Sequence, residues 1–194
     1  MPIYETASPE HREVLDAMLE KFHQPLVEAG VAIDLLLAWP KLDKNDDPTG
    51  PALTLHGWRC AALVRVVPYK QRVKGMGDAE ILLDAMTWEE THEAGREALM
   101  DHELEHLELR VSTKKKDKGS ILRDDLGRPK LKLRQHDYKL EGFHSIVRRH
   151  GVEAFEWQAH VDHHIRVKQL WQLWLPYVRV ETSVSRGKDA AIAD

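Results

Sequence analysis

Apolar residues recur at three- and four-residue spacing over residues 9–24, where Val14, Leu15, Met18, Leu19 and Phe22 share one face. This predicts an amphipathic helix with Ser8 placed to cap its start. Gly30 closes that unit, and the apolar run over 31–39 reads as a strand. Residues 41–50 mix charge, proline and glycine without a period and read as a surface loop. A short apolar run over 61–67, broken only by Arg65, predicts a central strand. After a polar connection, residues 79–86 predict another strand, and their pattern is equally compatible with an internal position or with an edge open to an extended peptide. Residues 88–107 predict one long helix, with Thr87 as N-cap and Glu90 as its capping-box partner.

The segment over 110–134 differs in character. It holds ten basic residues against three acidic ones, with turn signals at Gly119 and at Gly127-Arg128-Pro129 and alternation near its end. A basic β-ribbon is expected there. Helices are predicted over 136–150 and, after a break at Gly151, on to about residue 177. The order helix, strands, long helix, ribbon, helices implies an α+β fold. The expected organisation is a single domain over 1–180 and a loose tail over 181–194.

Composition narrows the class. The chain has 194 residues, 42% hydrophobic and 31% charged, so it can fold around a core. No apolar run of about 18 residues occurs, which excludes a spanning helix. Residues 1–5 have neither the basic flank nor the apolar stretch of a signal peptide, so a cytoplasmic location is expected. One cysteine, Cys60, excludes a disulfide framework and an all-cysteine metal site. The 12 histidines are what needs explaining.

They lead to Asp101-His102-Glu103-Leu104-Glu105-His106-Leu107. Four residues apart on a helix, His102 and His106 project from one face, one turn apart, which suits two nitrogens on one zinc ion. Glu103 is offset by about 100° and reaches beside the metal rather than onto it. Its carboxylate is placed to take a proton from a water whose pKa the metal lowers, the H-E-x-x-H arrangement of zinc peptidases. The abundance of histidine reduces the weight of the spacing taken alone; its position in a capped helix after a strand adds to it.

A catalytic zinc needs a third protein ligand. The metzincin extension is absent, because Leu109 and Ser112 stand where Gly and His would be. If 136–150 is helical, His136 lies on the apolar stripe of Leu140, Phe143 and Val147, and must face the core. His136 is therefore the favoured third ligand. Glu141, about 140° away, is the main alternative, and Asp137 and His144 fit better as partners of a ligand or as substrate contacts.

The chain resembles the putative phage metallopeptidases, zincin-like proteins of phages and prophages. The resemblance rests on Arg72-Val73-Lys74-Gly75, Asp78-Ala79-Glu80-Ile81-Leu82, residues 98–107, Gly127-Arg128-Pro129-Lys130-Leu131, His136-Asp137, and Val147-Arg148-Arg149-His150-Gly151. It implies a zincin-like α+β fold, a small mixed sheet packed on the H-E-x-x-H helix with further C-terminal helices. It also implies a metal-dependent hydrolase whose active-site motifs include His102, Glu103, His106 and His136.

The expected activity is zinc-dependent cleavage of peptide or protein substrates in the cytoplasm of a bacterial host, with Glu103 as general base. An alternative reading is a DNA-associated phage accessory protein with structural zinc, contacting nucleic acid nonspecifically through Lys114, Lys115 and Lys116. No aromatic residue lies between Arg110 and Arg134 to stack on bases, which favours a solvated ribbon. His160, His163 and His164 lack an adjoining glutamate and read as a polar stripe beside Phe155, Trp157, Trp171 and Trp174. No membrane partner is expected, and the pattern does not define an oligomeric state.

Overall fold

The computed structural model describes residues 2–55, 57–136, 143–155 and 157. A four-stranded sheet forms its centre, in the order β1 (Ile3–Thr6), β2 (Ile33–Trp39), β6 (Ala79–Asp84), β5 (Ala62–Val66). β2 and β6 are parallel, with Ile33 opposite Ala79, while β1 and β5 run antiparallel to their neighbours, so the sheet is mixed. A separate hairpin, β3 (Thr54–Leu55) with β4 (Trp58–Arg59), precedes β5.

Alternation along the strands sorts the sheet into two faces. Leu35, Leu37, Ile81 and Leu83 point to one side and join Leu15 and Met18 of α1 (Pro9–Phe22) and Leu99, Met100 and Leu104 of α5 (Glu93–Glu105) in the main core. Leu63 and Leu82 point the other way, onto Ala38, Ala52 and Leu53. β6 is buried almost throughout, as befits a strand paired on both sides.

Several local expectations change. The helix predicted over 9–24 ends at Phe22; His23 departs from helical geometry and a short α2 (Gln24–Ala29) follows, closed by Gly30 at φ 73°. Ser8 does sit at the cap position, but its hydroxyl meets His11 Nδ1 at 2.6 Å rather than a backbone N–H. The predicted central strand over 61–67 is β5, which lies at the sheet edge, and β6 is internal. Arg65 marks the difference: it reaches Glu80 Oε2 at 2.6 Å from an exposed position that a central strand would not offer.

The helix predicted over 88–107 is two helices, α4 (Ala85–Glu90) and α5, with Thr91 and His92 extended between them. Asp84, at the end of β6, caps α4 by accepting from the Thr87 N–H and hydroxyl, both at 2.9 Å. Thr87 is thus inside the helix and partner to the cap rather than the cap itself.

The basic ribbon begins earlier than expected. β7 (Leu107–Leu109) follows His106 directly and pairs with β8 (Leu131–Leu133); beyond them the segment divides into two smaller turns, bridged at Val111–Ile121 and at Arg123–Pro129, that meet at Leu122. A buried ionic cluster docks the ribbon on the sheet. The Arg72 guanidinium, after β5 and within α3 (Tyr69–Arg72), pairs with Asp78, donates to the Pro129 carbonyl at 2.9 Å and lies 3.1 Å from Asp124. Arg128 reaches Asp78 at 2.9 Å and donates to the Met76 carbonyl at 2.8 Å, while Asp78 accepts from the Ala32 N–H. Buried charges survive when paired, and each of these has an opposite partner.

The helix predicted from 136 begins at residue 144: α6 spans His144–His150, with Phe143 at its cap and Gly151 at its end. A 3-10 turn, Gly151–Glu153, follows. The continuation to residue 177, the stripe of His160, His163 and His164, and the tail over 181–194 lie outside the described residues.

Candidate metal centre

α5 buries Ala98, Leu99, Met100 and Leu104 against the sheet, which fixes its rotation. His102 and His106 then project together, with ring centroids 5.1 Å apart. Their third companion is His136, 5.1 Å from His102 and 4.6 Å from His106 by centroid. One nitrogen of each ring lies within 4.8 Å of the others, and the Nε2 atoms of His102 and His136 stand 3.2 Å apart. Two nitrogens on one tetrahedral zinc ion, each about 2.05 Å from it, would be about 3.3 Å apart.

The reason given by the sequence for His136 does not hold. His136 is not helical; it lies in irregular chain three residues beyond β8. Ribbon pairing brings it to α5. The register that sets Leu107 opposite Leu133 carries on to His106 and Arg134. The Arg134 N–H donates to the His106 carbonyl at 2.7 Å, and the Arg134 carbonyl accepts from His106 Nδ1 at 2.8 Å. That last bond fixes the His106 tautomer and leaves Nε2 with a lone pair for a metal, the usual arrangement behind a ligating imidazole. Phe143 packs against all three rings at 4.7 to 5.2 Å, and Arg134 lies over its face. This donor set fits a divalent transition metal.

Glu103 is buried beside the histidines and lines the same cleft of about 490 Å³, whose opposite wall is the β5 segment from Ala61 to Val64. Leu55 and Arg59 of the β3–β4 hairpin and Leu133 of β8 complete the rim. Cys60 also faces it. Burial, then the negative charges of Glu103 and Asp84, push its thiol up to about 11, which keeps it protonated and unsuited to nucleophilic attack near neutral pH.

Behind the histidines, α5 presents a second cluster. The fully buried Asp101 accepts from His23 Nε2 at 2.6 Å, His150 Nε2 at 2.7 Å and Arg149 Nη1 at 2.9 Å. Burial pushes its carboxyl up, but the hydrogen bonds of His23 and His150 and the charge of Arg149 outweigh that and hold it below the usual carboxylate range. Glu105 meets Arg149 at 3.1 Å and pairs with Arg134. His23, Asp101 and Glu105 also satisfy the spacing for a metal, yet the cation between the two carboxylates is Arg149. The cluster thereby ties α6, and Phe143 at its cap, to α5.

Sequence reasoning missed Asp101, Arg134 and the hairpin residues as parts of the site. Arg134 acts through its backbone carbonyl, for which no side-chain signal exists. Lys114, Lys115 and Lys116 stand exposed at the far end of the ribbon, away from the cleft lining. Asp137 and Glu141 lie outside the described residues; His144 is described by its backbone alone, as the first residue of α6.

Three histidines, two of them on α5 and its C-cap, thus meet in one cleft of a mixed α+β fold. The chain matches the family described as Putative phage metallopeptidase over residues 4–164, and it belongs to that family. No curated protein and no solved structure matches it. No helix among the described residues is long and apolar enough to cross a membrane.

Proposed function

We propose that this chain is a zincin-like, zinc-dependent peptidase of phage or prophage origin that works in the cytoplasm of a bacterial host. The observation that carries the reading is the meeting of His102, His106 and His136 within 4.8 Å, with Glu103 in the same cleft. His102, His106 and His136 would hold the ion. Zinc there supplies a Lewis acid that makes water nucleophilic near neutral pH and polarises a carbonyl.

The chain's own groups do the rest. The Glu103 carboxylate takes the proton of the attacking water and delivers it to the leaving amine, and its buried position strengthens that transfer. The β5 edge offers backbone hydrogen bonds to an extended peptide without regard to its side chains. The Phe143 ring and the Arg134 carbonyl hold the imidazoles in place.

The test compares zinc-loaded full-length protein with Glu103→Gln on a quenched-fluorescence peptide library, with zinc content measured in both. Equal zinc and about 1000-fold slower cleavage in the variant is the expected result. Equal zinc with unchanged cleavage rejects the mechanism.

A further inference from the structure

The ribbon brings two like charges to the point where its ladder ends. Glu108 stands opposite Lys132 and pairs with it at 3.0 Å. Beyond Leu109 and Leu131 the ladder ends: the Arg110 N–H donates to the Lys130 carbonyl at 2.8 Å, while Leu122 donates to the Arg110 carbonyl and accepts from the Lys130 N–H, both at 2.8 Å. Like charges held on neighbouring residues repel unless something negative meets them. Neither side chain forms an ion pair among the described residues.

Both line a cleft of about 380 Å³. Arg72 contributes to its wall, and the buried Nε–H of that residue has no acceptor among the described residues. Asp124 shares the wall but is engaged by Arg72 and by the N–H groups of Leu126 and Arg128. That leaves the exposed Asp125 against two unpaired cations, so the cleft suits a single negative charge better than a doubly charged phosphate.

Its location ties it to the metal centre. Val64 of β5 and Leu133 of β8 line the cleft at the histidines; Val66 and Leu131, two residues away on the same strands, line this one. Two strand residues span about 7 Å. β5 has no second strand partner among the described residues. A peptide laid along its edge would pass from one cleft to the other.

We propose that the cleft at Arg110, Lys130 and Arg72 is a specificity subsite for a carboxylate of the peptide substrate, on an Asp or Glu side chain or at the C-terminus, a few residues from the bond that is cut. The assignment rests on the peptidase reading above. Arg72 is buried in the cluster that docks the ribbon, so the variants that test the idea are at the exposed positions.

The experiment uses full-length, zinc-loaded Glu103→Gln protein, which retains bound peptide. Fluorescein-labelled neutral octapeptides carry a single Glu, or Gln in its place, at each position in turn, and a second pair differs only in a free or amidated C-terminus. Anisotropy titrations are expected to give one Glu position, or the free C-terminus, about 10-fold tighter binding than its neutral counterpart. The first outcome identifies a side-chain carboxylate and the second a terminal one. In Arg110→Gln/Lys130→Gln the ratio is expected to fall to about one, with circular dichroism confirming the fold. Ratios near one for every pair, or a ratio unchanged in the double variant, overturn the subsite and leave the peptidase reading standing. Absence of binding by any peptide, charged or neutral, overturns both.

Discussion

Replacing Asp101 by asparagine perturbs the structure at its most concentrated point of buried charge. The two carboxylate oxygens accept from His23, His150 and Arg149 at 2.6 to 2.9 Å, and the residue is fully buried. Asparagine keeps nearly the same shape but loses the charge, and its amide nitrogen turns a donor towards groups that are already donors. Removing one partner of a buried ion pair costs about 3 to 5 kcal/mol. Arg149 softens the loss, because it is partly exposed and retains Glu105 at 3.1 Å. The expected cost is therefore about 3 kcal/mol, which for a chain of this size lowers Tm by about 6 to 12 °C. Thermal unfolding of metal-free protein, followed by circular dichroism at neutral pH, measures it. Asp16→Asn on the exposed side of α1 serves as the control, expected to stay within about 0.5 kcal/mol of the parent. A double-mutant cycle with Arg149→Gln assigns the coupling to that pair. A Tm change for Asp101→Asn no larger than that of the control would refute the account of Asp101 as the tie between α5 and α6.

Two further outcomes follow from the site. Loss of partners that only orient a ligand costs 10- to 100-fold in metal affinity, so His136→Ala should weaken zinc binding by more than about 100-fold in competition with a chromophoric chelator. Glu141→Ala, measured alongside, should keep its affinity, and the reverse pattern would make Glu141 the third ligand. Cys60, its thiol held at about 11, should be alkylated by iodoacetamide in metal-free protein at a rate that keeps rising through pH 10. At pH 8 the thiolate fraction is about 200-fold below that of an ordinary cysteine, and a rate that levels off near pH 9 would contradict the assignment.

The parts of this molecule legible in its sequence are those set by local geometry. The relation of His102 to His106 is a property of the helix, so their spacing placed them on one face. The strand over 79–86 is legible as an element from its apolar residues, though its internal place in the sheet is not. Long-range relations were less accessible. His136 was assigned through a helix that starts only at residue 144; ribbon pairing, a contact across about 30 residues, is what brings it to α5. β1 escaped notice because its four residues are all exposed and show no alternation. β5 lies at the edge rather than at the expected centre, because an isolated Arg65 in an apolar run marks an edge more reliably than the run marks a centre. The burial of Asp78 and Asp101 has no local signal, because only the folded chain supplies the arginines and histidines that let them be buried.

The ribbon has a thermodynamic consequence of its own. His106 precedes β7 and His136 follows β8, so the two imidazoles sit on the two legs of one hairpin, at its base. An ion shared by them would act as a clip across that base, closing a loop of about 30 residues and removing configurational freedom from the open hairpin much as a covalent cross-link does. At the sheet, the same hairpin is held independently by Arg72, Asp78 and Arg128. Slow amide exchange in β7 and β8 would then register occupancy of a centre that neither strand itself contains, making the hairpin a gauge of metal loading.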